Sequence, residues 1–174
     1  VGVFDSMNNK FTMISIGGEF GLVGLVGKFY GAALAANGQI LFAPFSAQCV
    51  GVFDPATSLF QCVDIKAQVS GSRKFSGAVA AGKGTIVFVP YEADGVGVFD
   101  VTAQSFKLVD ITVPVSSGGK FLGGAATASG KIVFAPFSAD AVGVFDPADD
   151  SFVLIDISST VSGNYKFSGT VVAN

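Results

Sequence analysis

Lysine stands directly before phenylalanine at Lys28, Lys74, Lys120 and Lys166, and each pair follows the last by 46 residues. If the chain curls evenly, four ammonium groups at that spacing form a ring. A ring of ammoniums is an anion-binding collar. The same spacing has a structural reading. Breaking a buried ion pair costs about 3–5 kcal/mol, so a fold that uses such a pair once per repeat keeps both partners. Aspartates recur with the lysines, and salt bridges to them are the preferred reading. Lys74, Lys120 and Lys166 are then each expected to reach a carboxylate or a backbone carbonyl of their own or a neighbouring unit. Lys120→Met is expected to destabilise the fold and leave partner binding unchanged.

Other chemistry finds less support. The chain has no histidine, which removes the commonest general base. Ser76 and Ser168 follow Lys74 and Lys166 by two residues, but Tyr30 and Leu122 fill that place in the other units. A Ser–Lys nucleophile is therefore weakly signalled. Asp5, Asp54, Asp100 and Asp146 close one recurring segment. Asp64, Asp110 and Asp156 close another, and Asp94 and Asp140 precede the first, where Gln48 takes the matching place. No run alternates oxygen ligands as a calcium loop does. No catalytic residue, metal ligand or cofactor is assigned. Cys49 and Cys62 are too few for a disulfide framework. They fall on adjacent strands, so a bridge is open, but free thiols are the preferred reading. Phe45, Tyr91 and Phe137 each follow a proline. That proline ends a strand by withholding its N–H, which puts the three rings near a face of the fold. With the four lysines, they are the candidate partner or ligand contacts.

These residues sit on a chain whose composition limits the options. Half the residues are hydrophobic and 13% are charged, about half the usual share of roughly 25%. Mean hydropathy is +0.61 and the net charge is −3. Lys and Arg are dispersed, where a nucleic-acid binder shows a basic stripe, so no nucleic-acid partner is expected. No uninterrupted apolar run reaches the roughly 18 residues of a membrane helix. Residues 20–27, FGLVGLVG, come nearest. Localisation is not legible.

The pentapeptide VGVFD begins at Val1, Val50, Val96 and Val142. It cuts the chain into units 1–49, 50–95, 96–141 and 142–174. The three extra residues of the first unit sit in GGEFGLVGLVG. Each full unit carries four runs of four to seven residues rich in Val, Ile and Phe, bounded by Gly, Pro, Asp and Ser. That is the strand signature, and no helical period competes with it. The closing Asp of VGVFD, followed by Pro at Pro55 and Pro147, starts a type I turn. Its central Gly suits a place where a large side chain or another backbone packs close.

Four antiparallel strands in a repeat of about 40–50 residues make a propeller blade. The order KFSGAVAAGKGTIVFVPYEADGVGVFDVTAQSFKLVDI resembles YVTN and NHL-type β-propeller repeats, and DPATSLF resembles repeat arrays in algal proteins. The resemblance implies an all-β fold of about four blades as a partial or small ring. KFSGAVAA is the innermost strand, TIVFVPY the second, VGVFD the third and LFQCVDI the outer one. Phe42, Phe88 and Phe134, with Phe11, Phe60, Phe106 and Phe152, then pack between blades.

Fifteen strands are expected, the last without its neighbour. Residues 170–173 are therefore expected to pair with strand from a second chain, from further sequence of this chain, or from the first VGVFD. A longer array or a larger assembly is the preferred form. The preferred function is a non-enzymatic scaffold that binds protein partners or further copies of itself. The alternatives are an anion or sugar site, or lyase-like chemistry, at the central channel, and a shell or fibre component. The resembling lyase, of the virginiamycin B type, relies on a histidine that this chain lacks.

Overall fold

The structure, a computed structural model, describes residues 1–16, 22, 24–111 and 119–173. Its regular elements are fourteen β-strands. A first hairpin joins β1 (Gly2–Asp5) and β2 (Lys10–Met13). The first complete blade is β3 (Phe29–Leu34), β4 (Ile40–Pro44), β5 (Cys49–Asp54) and β6 (Leu59–Asp64). The second is β7 (Phe75–Ala80), β8 (Thr85–Pro90), β9 (Gly95–Asp100) and β10 (Ser105–Asp110). The third is β11 (Phe121–Ala126), β12 (Ile132–Pro136), β13 (Ala141–Asp146) and β14 (Ser151–Asp156). Within each blade the strands lie in chain order and every pair is antiparallel. Among the described residues, no helix is long and apolar enough to cross a membrane.

VGVFD is the third strand of each blade, and its alternation explains its recurrence. In a strand, successive side chains face opposite ways. Val50 and Val52 point from the first blade into the cluster that holds Phe75, Phe88 and Phe99 of the second. Val96 and Val98 of the second blade do the same toward Phe121, Phe134 and Phe145 of the third. Gly51 and Phe53 face the other way, where Phe53 joins Val1 and Val3 of the hairpin. Each blade thus has an aromatic front and an aliphatic back, and the front of one blade buries the back of the one before. The glycine makes the front possible. A methyl at Gly97 would meet the Phe106 ring at 2.9 Å and the Phe75 ring at 3.0 Å. In that space three rings from three strands of one sheet meet: Phe75, Phe88 and Phe106, with centroids 5.8–6.4 Å apart. The turn aspartates act as expected: Asp54, Asp100 and Asp146 accept from the backbone N–H two residues on, at 2.8–3.0 Å.

The innermost strands touch through glycine. A Cβ on Gly31 would lie 3.1 Å from the Cα of Gly77, and one on Gly123 would lie 3.0 Å from the Cα of Gly169. Residues 166–173 therefore run where a fourth inner strand belongs. They form no ladder, and the fifteenth strand that the repeat pattern expects is not formed. A ladder needs a neighbour with free N–H and C=O groups, and among the described residues no strand pairs with these. The longer segment of the first unit lies largely outside the described residues. Gly123 also has φ of +89°, which a β-branched residue strongly resists. Gly123→Val is expected to cost at least about 2 kcal/mol in urea unfolding, whereas Gly38→Val, which meets no atom within 4 Å, bears the φ penalty alone.

Candidate functional site: an aromatic face over a lysine collar

Lysines 74, 120 and 166 stand where the outer strand of one blade returns to the inner strand of the next. Their backbone N–H groups cross to the preceding blade and donate to the carbonyls of Phe45 (3.0 Å), Tyr91 (2.7 Å) and Phe137 (2.8 Å). Their side chains repeat the crossing. Lys74 Nζ donates to the carbonyls of Gly71 (2.7 Å) and Phe45 (3.3 Å). Lys120 Nζ reaches the carbonyls of Glu92 and Ala93 (both 3.2 Å) and Asp94 Oδ1 (3.5 Å). Lys166 Nζ reaches the Gly163 carbonyl, the Ser138 carbonyl (3.3 Å) and Asp140 Oδ1 (3.0 Å). Lys28 Nζ donates to the Leu25 carbonyl at 2.7 Å.

The lysines staple blade to blade, and two of them also pair with the repeated aspartates. Lys74 differs because Gln48 stands in the aspartate's place, and it is held by carbonyls. It is only 1% exposed, and burial lowers its ammonium from the ordinary 10.5 to about 8.

Above the staples the aromatic residues form one continuous run. Tyr30 lies 5.6 Å from Phe45, Phe45 5.8 Å from Tyr91, Tyr91 5.8 Å from Phe137, and Phe137 5.0 Å from Tyr165, centroid to centroid. The rings are tilted 36–62° to one another. Phe45, Tyr91 and Phe137 are half-buried and the two end tyrosines are exposed. Phe45 rests on Gly27, and Tyr91 packs so closely on Gly119 that a Cβ there would lie 2.6 Å from its ring. Arg73 beside this run pairs with Glu92 at 3.0 Å. Burial raises the phenol of Tyr91.

The sequence places the three central rings at one repeat position but gives no sign of Tyr30 or Tyr165. Those two stand at other repeat positions, so periodicity is blind to them. The signal that could have found them is compositional: the three tyrosines of the chain are all in this run.

The cysteines correct the preferred reading. Cys49 and Cys62 are bonded to each other, their Cα atoms 5.4 Å apart. The pairing of β5 with β6 sets Gly51 opposite Cys62 and Cys49 opposite Asp64. The two cysteines are therefore diagonal neighbours on one side of the pair, within bridging reach. Among the described residues, no group of three His, Cys, Asp or Glu side chains is placed to hold a metal ion.

No family model matches the sequence, and no curated protein does. Solved structures do. Virginiamycin B lyase from Staphylococcus aureus superposes with a TM-score of 0.71 at 13% identity, over 89% of this chain and 47% of the lyase. The fold is a β-propeller. A catalytically inactive histidine-to-alanine variant of that lyase with quinupristin gives a TM-score of 0.63 at 12% identity, over 78% of this chain and 43% of the other. The extracellular domain of a one-component system of Bacteroides thetaiotaomicron gives 0.62 at 14% identity, over 89% and 21%. The chain spans less than half the length of each of these propellers. At such identities the likeness is one of fold alone.

Proposed function

We propose that the chain is a non-enzymatic propeller module that binds its partners through the aromatic face and works as part of a larger assembly. The carrying observation is the continuous run from Tyr30 to Tyr165. It spans every complete blade with its end rings exposed and its central rings half-buried, and the neighbouring lysines are already engaged by oxygen atoms. A catalytic centre needs different groups in different blades, whereas here each blade offers a lysine staple and one aromatic ring at the same repeat position. Lyase-like chemistry finds no support in these residues. The inactive variant of the similar lyase lacks one histidine, and this chain has none. Assembly draws support from apolar side chains left in solvent: Phe4, Phe11 and Met13 on the first hairpin, and Phe167, Val171 and Val172 at the other end of the array. Soluble monomers keep such patches small. Light scattering at micromolar concentration is expected to find species heavier than the 17.6 kDa chain. A monodisperse 17.6 kDa particle would remove the assembly from this reading.

A further inference from the structure

We infer that the aromatic face takes an uncharged, proline-rich segment in the polyproline II conformation. The inference rests on the reading of that face as the contact surface and names the kind of partner. Three observations lead to it.

The first is charge. Every cation at the face is spent: Arg73 on Glu92, Lys120 on Asp94, Lys166 on Asp140, and Lys28 and Lys74 on carbonyls. An anionic ligand would have to displace those bonds.

The second is the supply of acceptors. The carbonyls of Phe45, Tyr91 and Phe137 already accept from the next blade's lysine N–H. The Phe45 carbonyl also accepts from Lys74 Nζ, so a ligand rich in N–H or O–H donors, an ordinary strand or a glycan, meets at most one open lone pair on each of the other two. Proline brings no N–H, and a polyproline II helix has no internal hydrogen bonds and is ordered before it binds, so it loses little entropy on docking.

The third is shape. A flat sugar stacks on an open ring face, but these rings turn their faces partly toward each other, at 36–62°. At 5.0–5.8 Å the neighbours touch, so a pyrrolidine ring would lie across their edges and not between them. Tyrosine and phenylalanine alternate along the run, so a phenol recurs at every second ring. Two steps of 5.6–5.8 Å along a curved line are comparable with one turn of the ligand, about 9 Å for three residues. One hydroxyl donor then meets one ligand carbonyl per turn.

The chain reports on its own face, because it has three tyrosines, all in the run, and no tryptophan. Tyrosine emission of the full chain is followed while acetylated, amidated decaproline is added. A saturable change is expected, with affinity falling about tenfold in Phe137→Ala, as for a central contact residue. It should fall several-fold in Tyr165→Ser, whose exposed ring can be removed without touching the core. Circular dichroism of both variants confirms folding. If cellohexaose shifts the emission and decaproline does not, the face binds ligands but the polyproline inference is wrong. If dilution of the chain alone shifts it and decaproline does not, the face joins copies of the chain and the inference is again wrong. Silence to all three overturns both the inference and the reading of the face on which it rests.

Discussion

Phe75→Ala is expected to lower the free energy of unfolding by about 3–5 kcal/mol, the range for removing a buried phenylalanine ring. The ring is 0% exposed and stands at the meeting point of two blades. Within its own sheet it touches Phe88 and Phe106. Across the junction it belongs to the cluster of Leu41, Val50 and Val52. The site collapses poorly after truncation. Its nearest wall is Gly97, which has no side chain to move inward, and the other walls are strands fixed by ladders on both sides. Urea unfolding should show a lower midpoint with the slope unchanged. The sequence supplies its own control. Phe167 holds the same repeat position but is 46% exposed, so Phe167→Ala should cost less than about 1 kcal/mol. Equal losses at the two positions would mean that the blade junction does not carry the stability assigned to it.

These residues also show what repetition makes legible. Gly51, Gly97 and Gly143 repeat with Phe60, Phe106 and Phe152, so the need for space at one and bulk at the other is stated three times over. Strand order, turn aspartates and blade packing follow from positions that recur. What occurs once is harder to read. The Cys49–Cys62 bridge depends on a diagonal in the β5–β6 register, and a separation of 13 residues does not fix that diagonal. Tyr30 and Tyr165 join the aromatic run from positions that hold Ser76 and Arg73 in the second unit, and only the curvature of the array brings them to its ends. The lysine partners are mostly backbone carbonyls, which every residue type carries, so no residue identity announces them. The face is therefore half legible. Its central rings follow from the repeat, while its ends and the engagement of its lysines follow from the fold.

The exception among the lysines gives the second large effect. Lys74→Met is expected to raise stability at pH 7, by up to about 3 kcal/mol, the free-energy equivalent of lowering an amine from 10.5 to about 8. The sign follows from proton counting. The folded chain gives up the Lys74 proton near pH 8, and the unfolded chain keeps it to about 10.5. Between those values the unfolded state binds more protons, so stability rises with pH through the window. The cost of burying the charge is complete below about pH 8 and gone above about pH 10.5. Methionine removes that cost with little else lost. The Gly71 carbonyl still accepts from Gln48 Nε2 at 3.0 Å, and the Phe45 carbonyl still accepts the residue-74 N–H at 3.0 Å. The difference in stability between parent and variant should therefore shrink as pH rises from 8 to 10.5. Lys166→Met should have the opposite sign, because its ammonium also faces the Asp140 carboxylate at 3.0 Å. Gln48→Asp tests the cause directly. It restores the carboxylate that Asp94 and Asp140 supply elsewhere and removes the Gln48 Oε1, which is buried without a hydrogen bond. It should move the Lys74 window to higher pH. If Lys74→Met instead loses as much stability at pH 7 as Lys166→Met, the carbonyls alone hold the ammonium favourably, and the missing aspartate has no consequence.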